Sequence, residues 1–447
     1  MTVGRPISLM IRFSLPLILA NALQLIYTMV DGAVVGNMVG VKAYAAVGAT
    51  ASFYWMIFGA VISITQGFGT LFAQRFGAKD MDGLCRLFTT AAILSIILSV
   101  IMGCASAIKS ISALKLLNTP SELMDGAALY LHYLLFGLSI TFAYNLLGAM
   151  LRALGDSKTP FRSMIVATAL NIILDLALVI PLGIAGVAIA TLMAQITASI
   201  YCFVALQKTG IIRGNFQWDF ASAKKLLYLG LPLGFRNAVI EVGALVVQRY
   251  VNNYGTEFVA GIAAAKQMYS LLLIACGAFE ASCATFVAQN FGAKDYFRVK
   301  RGVASCLFLM LISSVVTMAF TLLFGRWVLS LLIKGDTIQI TAVLNIGTRQ
   351  LNVMAFGLPI LCLLFLYRSA LQGIGNAFIP MLSGFFELAM RIMSVIFLTP
   401  FLGEWGVFLS DFSGWVAATL LLIISYMIIA KRLFSIKKRE NVDNLAE

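Results

Sequence analysis

The chain has 447 residues, 61% of them hydrophobic and only 11% charged, with a mean hydropathy of +0.95. One soluble core cannot absorb that much apolar surface, whereas a bilayer can. The 32 Lys and Arg against 19 Asp and Glu leave a net charge of +13, which raises nucleic acid as a partner until the charges are placed along the chain.

Apolar runs of roughly 20 residues or more, enough to cross about 30 Å of hydrocarbon at 1.5 Å per residue, predict membrane helices. Twelve such spans are expected, near 13–36, 43–72, 88–108, 127–151, 161–182, 184–207, 226–253, 258–289, 303–324, 346–372, 378–400 and 406–432. The runs are too long and too uniform for barrel strands, which alternate over about ten residues. The first run is too long for a cleavable leader and reads as an anchor. Pro181 to Gly186 supply the break between spans five and six.

If both termini are cytoplasmic, Arg5, Arg12, Arg75, Lys79, Arg86, Arg152, Lys158, Arg162, Lys208, Arg213, Lys224, Lys225, Lys294, Arg298, Lys300, Arg301 and the cluster from Lys431 to Arg439 all fall inside. The outer connections keep Lys42, Lys109, Lys115, Lys266, Arg326 and Lys334. That is the positive-inside pattern of a multi-pass cell-membrane protein, and it displaces nucleic acid as the reason for the charge. The seven cysteines show no CxxC and no ligand spacing, so they read as small hydrophobes.

The stretch Phe72-Ala-Gln-Arg-Phe-Gly-Ala-Lys-Asp80 returns as Val287-Ala-Gln-Asn-Phe-Gly-Ala-Lys-Asp295. Leu15-Pro16 answers Leu231-Pro232, Phe136-Gly-Leu138 answers Phe356-Gly-Leu358, and Gly155 with Pro160 answers Gly375 with Pro380. One half of the chain is therefore a copy of the other. Six spans per half return the second copy to the same side, which makes the repeats parallel, related by an axis along the membrane normal. The fold expected is an all-α polytopic membrane protein, twelve helices in two pseudo-twofold lobes, 1–212 and 213–447. The polar stretch with Arg213, Asn215, Gln217 and Asp219 marks the boundary. Each repeated loop reads as a connector in which Gly77 or Gly292 takes up positive φ just past a helix end, with a conformational latch between states as the alternative.

An ionisable side chain at mid-bilayer costs roughly 2.5–3.5 kcal/mol on insertion scales, so each one needs a reason. Asn21, Gln24, Thr28 and Asp31 share one face of span one. Thr168, Asn171 and Asp175 share a face of span five, and Thr191 and Gln195 one of span six. Two carboxylates with amide and hydroxyl oxygens suit a hard cation or a shared proton. In the second half Asn237, Glu241 and Gln248 share a face of span seven, Glu280 lies in span eight, and Glu387 with Arg391 can form an i, i+4 ion pair. Asn237, Glu241 and Glu280, with Gln24, Thr28 and Gln195, are substrate or coupling candidates. Pro16 and Pro232 open spans one and seven, either as first-turn residues or as kinks. His132 reads as packing.

Leu15-Pro16, Val30-Asp31-Gly32 and Val35-Gly36, then Leu154-Gly155-Asp156 with Thr159-Pro160, Asn171-x-x-x-Asp175 and Gly183-x-x-Gly186-Val-Ala-Ile-Ala-Thr191, resemble the multidrug and toxic compound extrusion transporters over nearly the whole chain. The resemblance implies a cation-driven antiporter that expels bulky, often cationic or amphipathic compounds. It places the ion on Asp31, Asn171, Asp175 and Thr191, and a span-seven carboxylate of other members on Glu241. Where one branch of that family carries an essential span-ten Asp, this chain has Tyr367-Arg368, which favours the first-half site.

The resulting expectations are H⁺ or Na⁺ as coupling ion, no cofactor and no other metal, small organic substrates, lipid contacts and a monomer. A flippase for lipid-linked precursors from the same broader superfamily is the alternative, kept open by the in-membrane arginines. A polytopic membrane enzyme is a further one, disfavoured by a single histidine and no clustered loop motif.

Overall fold

A computed structural model describes residues 1–211, 218–332 and 337–446, with the side chains of 332, 337, 338 and 434–446 excepted. Arg213, Asn215, Gln217, Lys334, the basic side chains at 437–439 and the boundary expected between 212 and 213 lie outside the described residues.

The described residues form helices and no strands, as the long apolar runs dictate. In chain order the helices are α1 (Pro6–Val34), α2 (Val41–Gly77), α3 (Met81–Leu116), α4 (Ser121–Phe136), α5 (Leu138–Ala153), α6 (Lys158–Leu182), α7 (Ile184–Gln207), α8 (Phe220–Val251), α9 (Thr256–Leu272), α10 (Ile274–Gly292), α11 (Tyr296–Leu332), α12 (Thr337–Gly373), α13 (Phe378–Met393), α14 (Thr399–Leu402) and α15 (Glu404–Ala446). Wide π turns follow α1 at Val35–Val39 and α13 at Ser394–Leu398. Among the described residues ten stretches are long and apolar enough to cross a membrane unbroken. Two bent pairs, α4 with α5 at 48° and α9 with α10 at 42°, are the remaining spans four and eight and bring the total to twelve.

The duplication is written in the backbone. Left-handed residues recur at matching places: Gly40 and Gly255, Lys79 and Lys294, Gly155 and Gly375, Gly183 and Gly403. The repeated loop differs from expectation in one respect. Gly77 and Gly292 end their helices, and positive φ falls two residues later on Lys79 (59°) and Lys294 (56°). The reason is the hydrogen-bond pattern. Asp80 N–H donates to the Arg75 carbonyl and Lys79 N–H to that of Phe76, at 3.1 and 3.0 Å, with the same pair at Asp295–Asn290 and Lys294–Phe291. This double closure puts the left-handed residue at the second position past the last turn. The aspartates then cap the next helices, accepting from Gly83 N–H at 2.8 Å and Arg298 N–H at 3.0 Å.

The chain gathers into two compact units, Leu15–Ala238 and Met1–Ser14 with Val239–Glu447. Relative to the sequence halves, the first segments of α1 and α8 are exchanged. Within the Leu15–Ala238 unit the start of α8 lies on α2 through glycines: a Cβ on Gly67 would stand 2.9 Å from Gly230 Cα, and one on Gly234 2.7 Å from Ile64. Such small-residue stripes let backbones touch where no hydrophobic drive separates lipid from protein. In the other unit Met10 is fully buried among Cys283, Phe286 and Met310, and Ser282 Oγ donates to its carbonyl. Pro16 and Pro232 stand near these passages. Since α1 starts at Pro6 and α8 at Phe220, both prolines lie in helix interiors, and the first-turn explanation does not hold. Each removes one ladder hydrogen bond there.

Candidate functional site

Within the Leu15–Ala238 unit, α6 carries Thr168, Asn171 and Asp175 on one face. Asn171 and Asp175 are completely buried and Thr168 is 6% exposed. The turn at Gly183, φ 56°, reverses the chain so that α7 runs back along α6. Only a glycine allows the approach that follows, because a Cβ on Gly186 would meet the Leu178 carbonyl oxygen at 2.4 Å. That backbone contact carries Thr191 into the same interior, 6% exposed. The third wall is α1, where the Asp31 carboxyl comes within hydrogen-bonding range of the Asp175 carboxyl and of Tyr27. Tyr27 Oη donates to Thr191 Oγ1 at 3.1 Å. The wide turn at Val35–Val39 begins one turn past Asp31, and such π segments recur at functional sites.

The hydrogen-bond accounting is what gives this cluster its chemistry. Asp31 Oδ1, both Asp175 oxygens, both Asn171 side-chain atoms and Thr168 Oγ1 are buried with no hydrogen-bond partner. Two carboxylates can only accept. Two unit negative charges 4 Å apart at an effective dielectric of 20 repel by on the order of 4 kcal/mol. An arrangement with oxygens from Asp31, Asp175, Asn171, Thr168 and Thr191 is therefore one that a proton or a small hard cation would complete. Among the described residues no group of three His, Cys, Asp or Glu side chains forms a metal cluster, so the oxygen set is a carboxylate pair with neutral partners.

The other first-half candidates scatter. Gln24 is half-buried, but Asn21 and Thr28 are exposed, and Thr28 Oγ1 turns back to the Gln24 carbonyl at 3.0 Å. Gln195 accepts from Thr141 Oγ1 at 2.8 Å. Together with Gln24, Tyr27 and Thr168 it lines a small cavity that leaves about 30 Å³ for the centres of water-sized molecules, where a single water needs about 10–15 Å³. Asn237 is pressed against Gly59, whose Cβ would meet Nδ2 at 2.3 Å. His132 bonds Ser110 Oγ at 2.9 Å and leans on Phe136, a packing role. Tyr27 escaped the sequence reading. Its signal was the i, i+4 spacing to Asp31, which an aromatic residue on an apolar helix does not advertise.

In the other unit Glu387 and Arg391 do form the internal pair, as part of something larger. Arg368 Nη2 meets Glu387 Oε2 at 2.7 Å, Arg391 Nη2 meets Glu387 Oε1 at 2.8 Å, and Arg391 Nε meets Asp411 Oδ1 at 3.0 Å. Arg368, Glu387 and Arg391 are 3–7% exposed. Of the in-membrane arginines that kept a lipid-linked precursor in view, Arg368 and Arg391 are thus neutralised internally. Glu241 is half-buried within electrostatic range of Arg391 and Lys266, Glu280 is half-buried on α10, and Gln248 donates to Asn252 at the surface.

The MatE family model matches the chain twice, over 16–177 and 232–397. A probable multidrug resistance protein of Bacillus subtilis, YpnP, is 29% identical over 67% of this chain and 68% of its own length. A probable multidrug resistance protein of Thermotoga maritima, NorM, is 24% identical over 87% of this chain and 84% of its own. The solved structure of a MOP superfamily transporter from Pyrococcus furiosus superposes with TM-score 0.89 at 20% identity, covering 96% of this chain and 97% of that one.

Proposed function

This chain belongs to the MatE family of transporters rather than to any enzyme class, and we propose that it is a cation-coupled antiporter exporting bulky, cationic or amphipathic organic compounds. The reading places the driving ion, H⁺ or Na⁺, on Asp31, Asn171, Asp175 and Thr191. It takes alternating access of two lobes, 1–212 and 213–447, as the transport motion, in a monomer of the cell membrane with both termini cytoplasmic. The names of the multidrug resistance relatives support the substrate class.

One observation carries the ion assignment: a carboxylate pair, Asp175 fully buried and Asp31 half-buried, three of whose four oxygens are buried with no donor. A proton or Na⁺ entering it removes the mutual repulsion and lowers the cost of keeping that face of α1 inside. Asp31 and Asp175 accept the ion, and Asn171 and Thr191 add neutral oxygens. Tyr27 has a single hydroxyl proton and can give it to Thr191 or to Asp31, so loading the pair changes which partner it serves. With Pro16 weakening the ladder of α1, the helix repacks between loaded and empty states. Antiport follows if substrate favours the empty state and the ion the loaded one.

The test is transport of ethidium by protein reconstituted in liposomes, driven separately by a proton and by a sodium gradient. Wild type responds to one of the gradients, and Asp31→Asn responds to neither. An Asp31→Asn protein that keeps wild-type rate and ion dependence overturns the assignment.

A further inference from the structure

We propose that Arg391 is a tethered cation filling, in the second half of the chain, the position that the mobile ion takes in the first, so that only one of the duplicated halves loads an ion. The inference rests on the antiport reading for the first-half site, and on its own observations for the second.

The register of the repeat is fixed locally on both sides of the site. Ser163 and Ser383 each donate to the carbonyl of the proline three residues back, at 2.8 and 2.7 Å. Gly183 and Gly403 share φ of 56° and 58°, and each donates its N–H to residue 179 or 399 at 2.9 Å. Gly186 and Gly406 repeat the N–H bond back to Gly183 and Gly403 at 3.1 Å, and a Cβ on either would collide with the preceding helix. With that register Asn171 corresponds to Arg391 and Thr191 to Asp411. The two residues that the first half offers as neutral ligands have become, in the second, a guanidinium and the carboxylate bound to it at 3.0 Å.

Charge accounting then separates the halves. In the first, no donor reaches Asp31 Oδ1 or either Asp175 oxygen. In the second, both Glu387 oxygens are occupied, by Arg368 and Arg391, and the chain of four charged side chains sums to zero. Arg391 also donates to the Ile240 carbonyl at 3.3 Å, which fixes it to α8. Glu241 is a further charged group within electrostatic range of Arg391, and Lys266 lies within range of Glu241 in turn. A guanidinium stays protonated at any physiological pH and is covalently held, so this half carries its cation through the whole cycle. One half works as the ion switch and the other as a permanently loaded copy.

Cation binding by the purified full-length protein tests this, with bound ²²Na⁺ and protons taken up both counted at saturation. Wild type takes up one equivalent. Arg391→Asn, which restores the first-half residue, takes up two, and Arg391→Asn/Asp411→Asn returns to one because the orphaned carboxylate is gone. Arg391→Asn saturating at one equivalent overturns the inference. Should that variant fail to fold, recovery of folding in the double variant supports an uncompensated Asp411 as the cause, and no recovery overturns it. Asp175→Asn reports on the first half separately. It takes up none if the antiport reading holds, and a retained full equivalent sinks that reading while leaving the Arg391 comparison decisive.

Discussion

Asp175→Asn keeps the shape of the side chain and deletes its charge. Asp175 is completely buried and both its oxygens lack a donor. Each buried unsatisfied polar atom costs about 1–3 kcal/mol, so the two together carry roughly 2–6 kcal/mol that an arriving cation can recover. A ligand at a hundredfold excess over its Kd stabilises the state it binds by about 2.7 kcal/mol. Thermal unfolding of the purified protein, followed while Na⁺ is titrated at fixed pH and while pH is lowered without Na⁺, reads that gain directly. Wild type melts at higher temperature with one of the two ions. Asp175→Asn shows no such ion-dependent rise in either titration, and without ions it melts at or above ion-free wild type, since it no longer holds two repelling charges. A variant whose melting still rises with the ion as wild type does would show that the ion binds elsewhere.

Tyr27→Phe removes the hydroxyl that donates to Thr191 within reach of Asp31 but leaves the carboxylates. Transport then survives with ion affinity weakened on the order of 10-fold, about 1.4 kcal/mol, in the same gradient assay. Lys79→Gly relieves a left-handed non-glycine residue and should raise unfolding stability by about 0.5–1 kcal/mol, measured by denaturant titration in detergent. Asp80 is held below its ordinary value near 3.8 by the Gly83 N–H first and by Arg75 besides, at 2.8 and 2.6 Å. Its contribution is present above that ordinary value and lost as pH falls through the lowered one. Asp80→Ala therefore lowers stability near neutral pH, by about 0.5–2 kcal/mol, with the gap closing in acid melts. Glu387→Gln leaves two buried guanidinium groups with one carboxylate and costs about 3–5 kcal/mol. Folded yield drops, whereas cation uptake by whatever folds is unchanged.

Composition and the repeated Ala-Gln-x-Phe-Gly-Ala-Lys-Asp stretch made the twelve spans and the duplication readable, because lipid demands long uniform runs and a copied loop keeps its capping residues. Asp31, Asn171 and Asp175 stood out for the same reason, as polar groups that a bilayer penalises. What patterning could not show was how the backbone closes. The bends of spans four and eight carry no proline at the break, and the left-handed position in the loops falls on Lys79 and Lys294 because hydrogen-bond closure, not residue preference, decides it. Thr28 lay on the predicted polar face, yet its hydroxyl is satisfied within its own helix. Asp411, the partner of Arg391, hid in a span whose own periodicity says nothing of a helix distant in sequence.

Substrate affinity with and without the ion bears most directly on the central claim. Coupling between two ligands is reciprocal, so a saturating ion must weaken ethidium binding to the purified protein by the same factor that ethidium weakens ion binding. The account predicts that mutual weakening in wild type and its disappearance in both Asp31→Asn and Asp175→Asn. Ethidium affinity indifferent to the ion in wild type, or equally sensitive in the two variants, would contradict it.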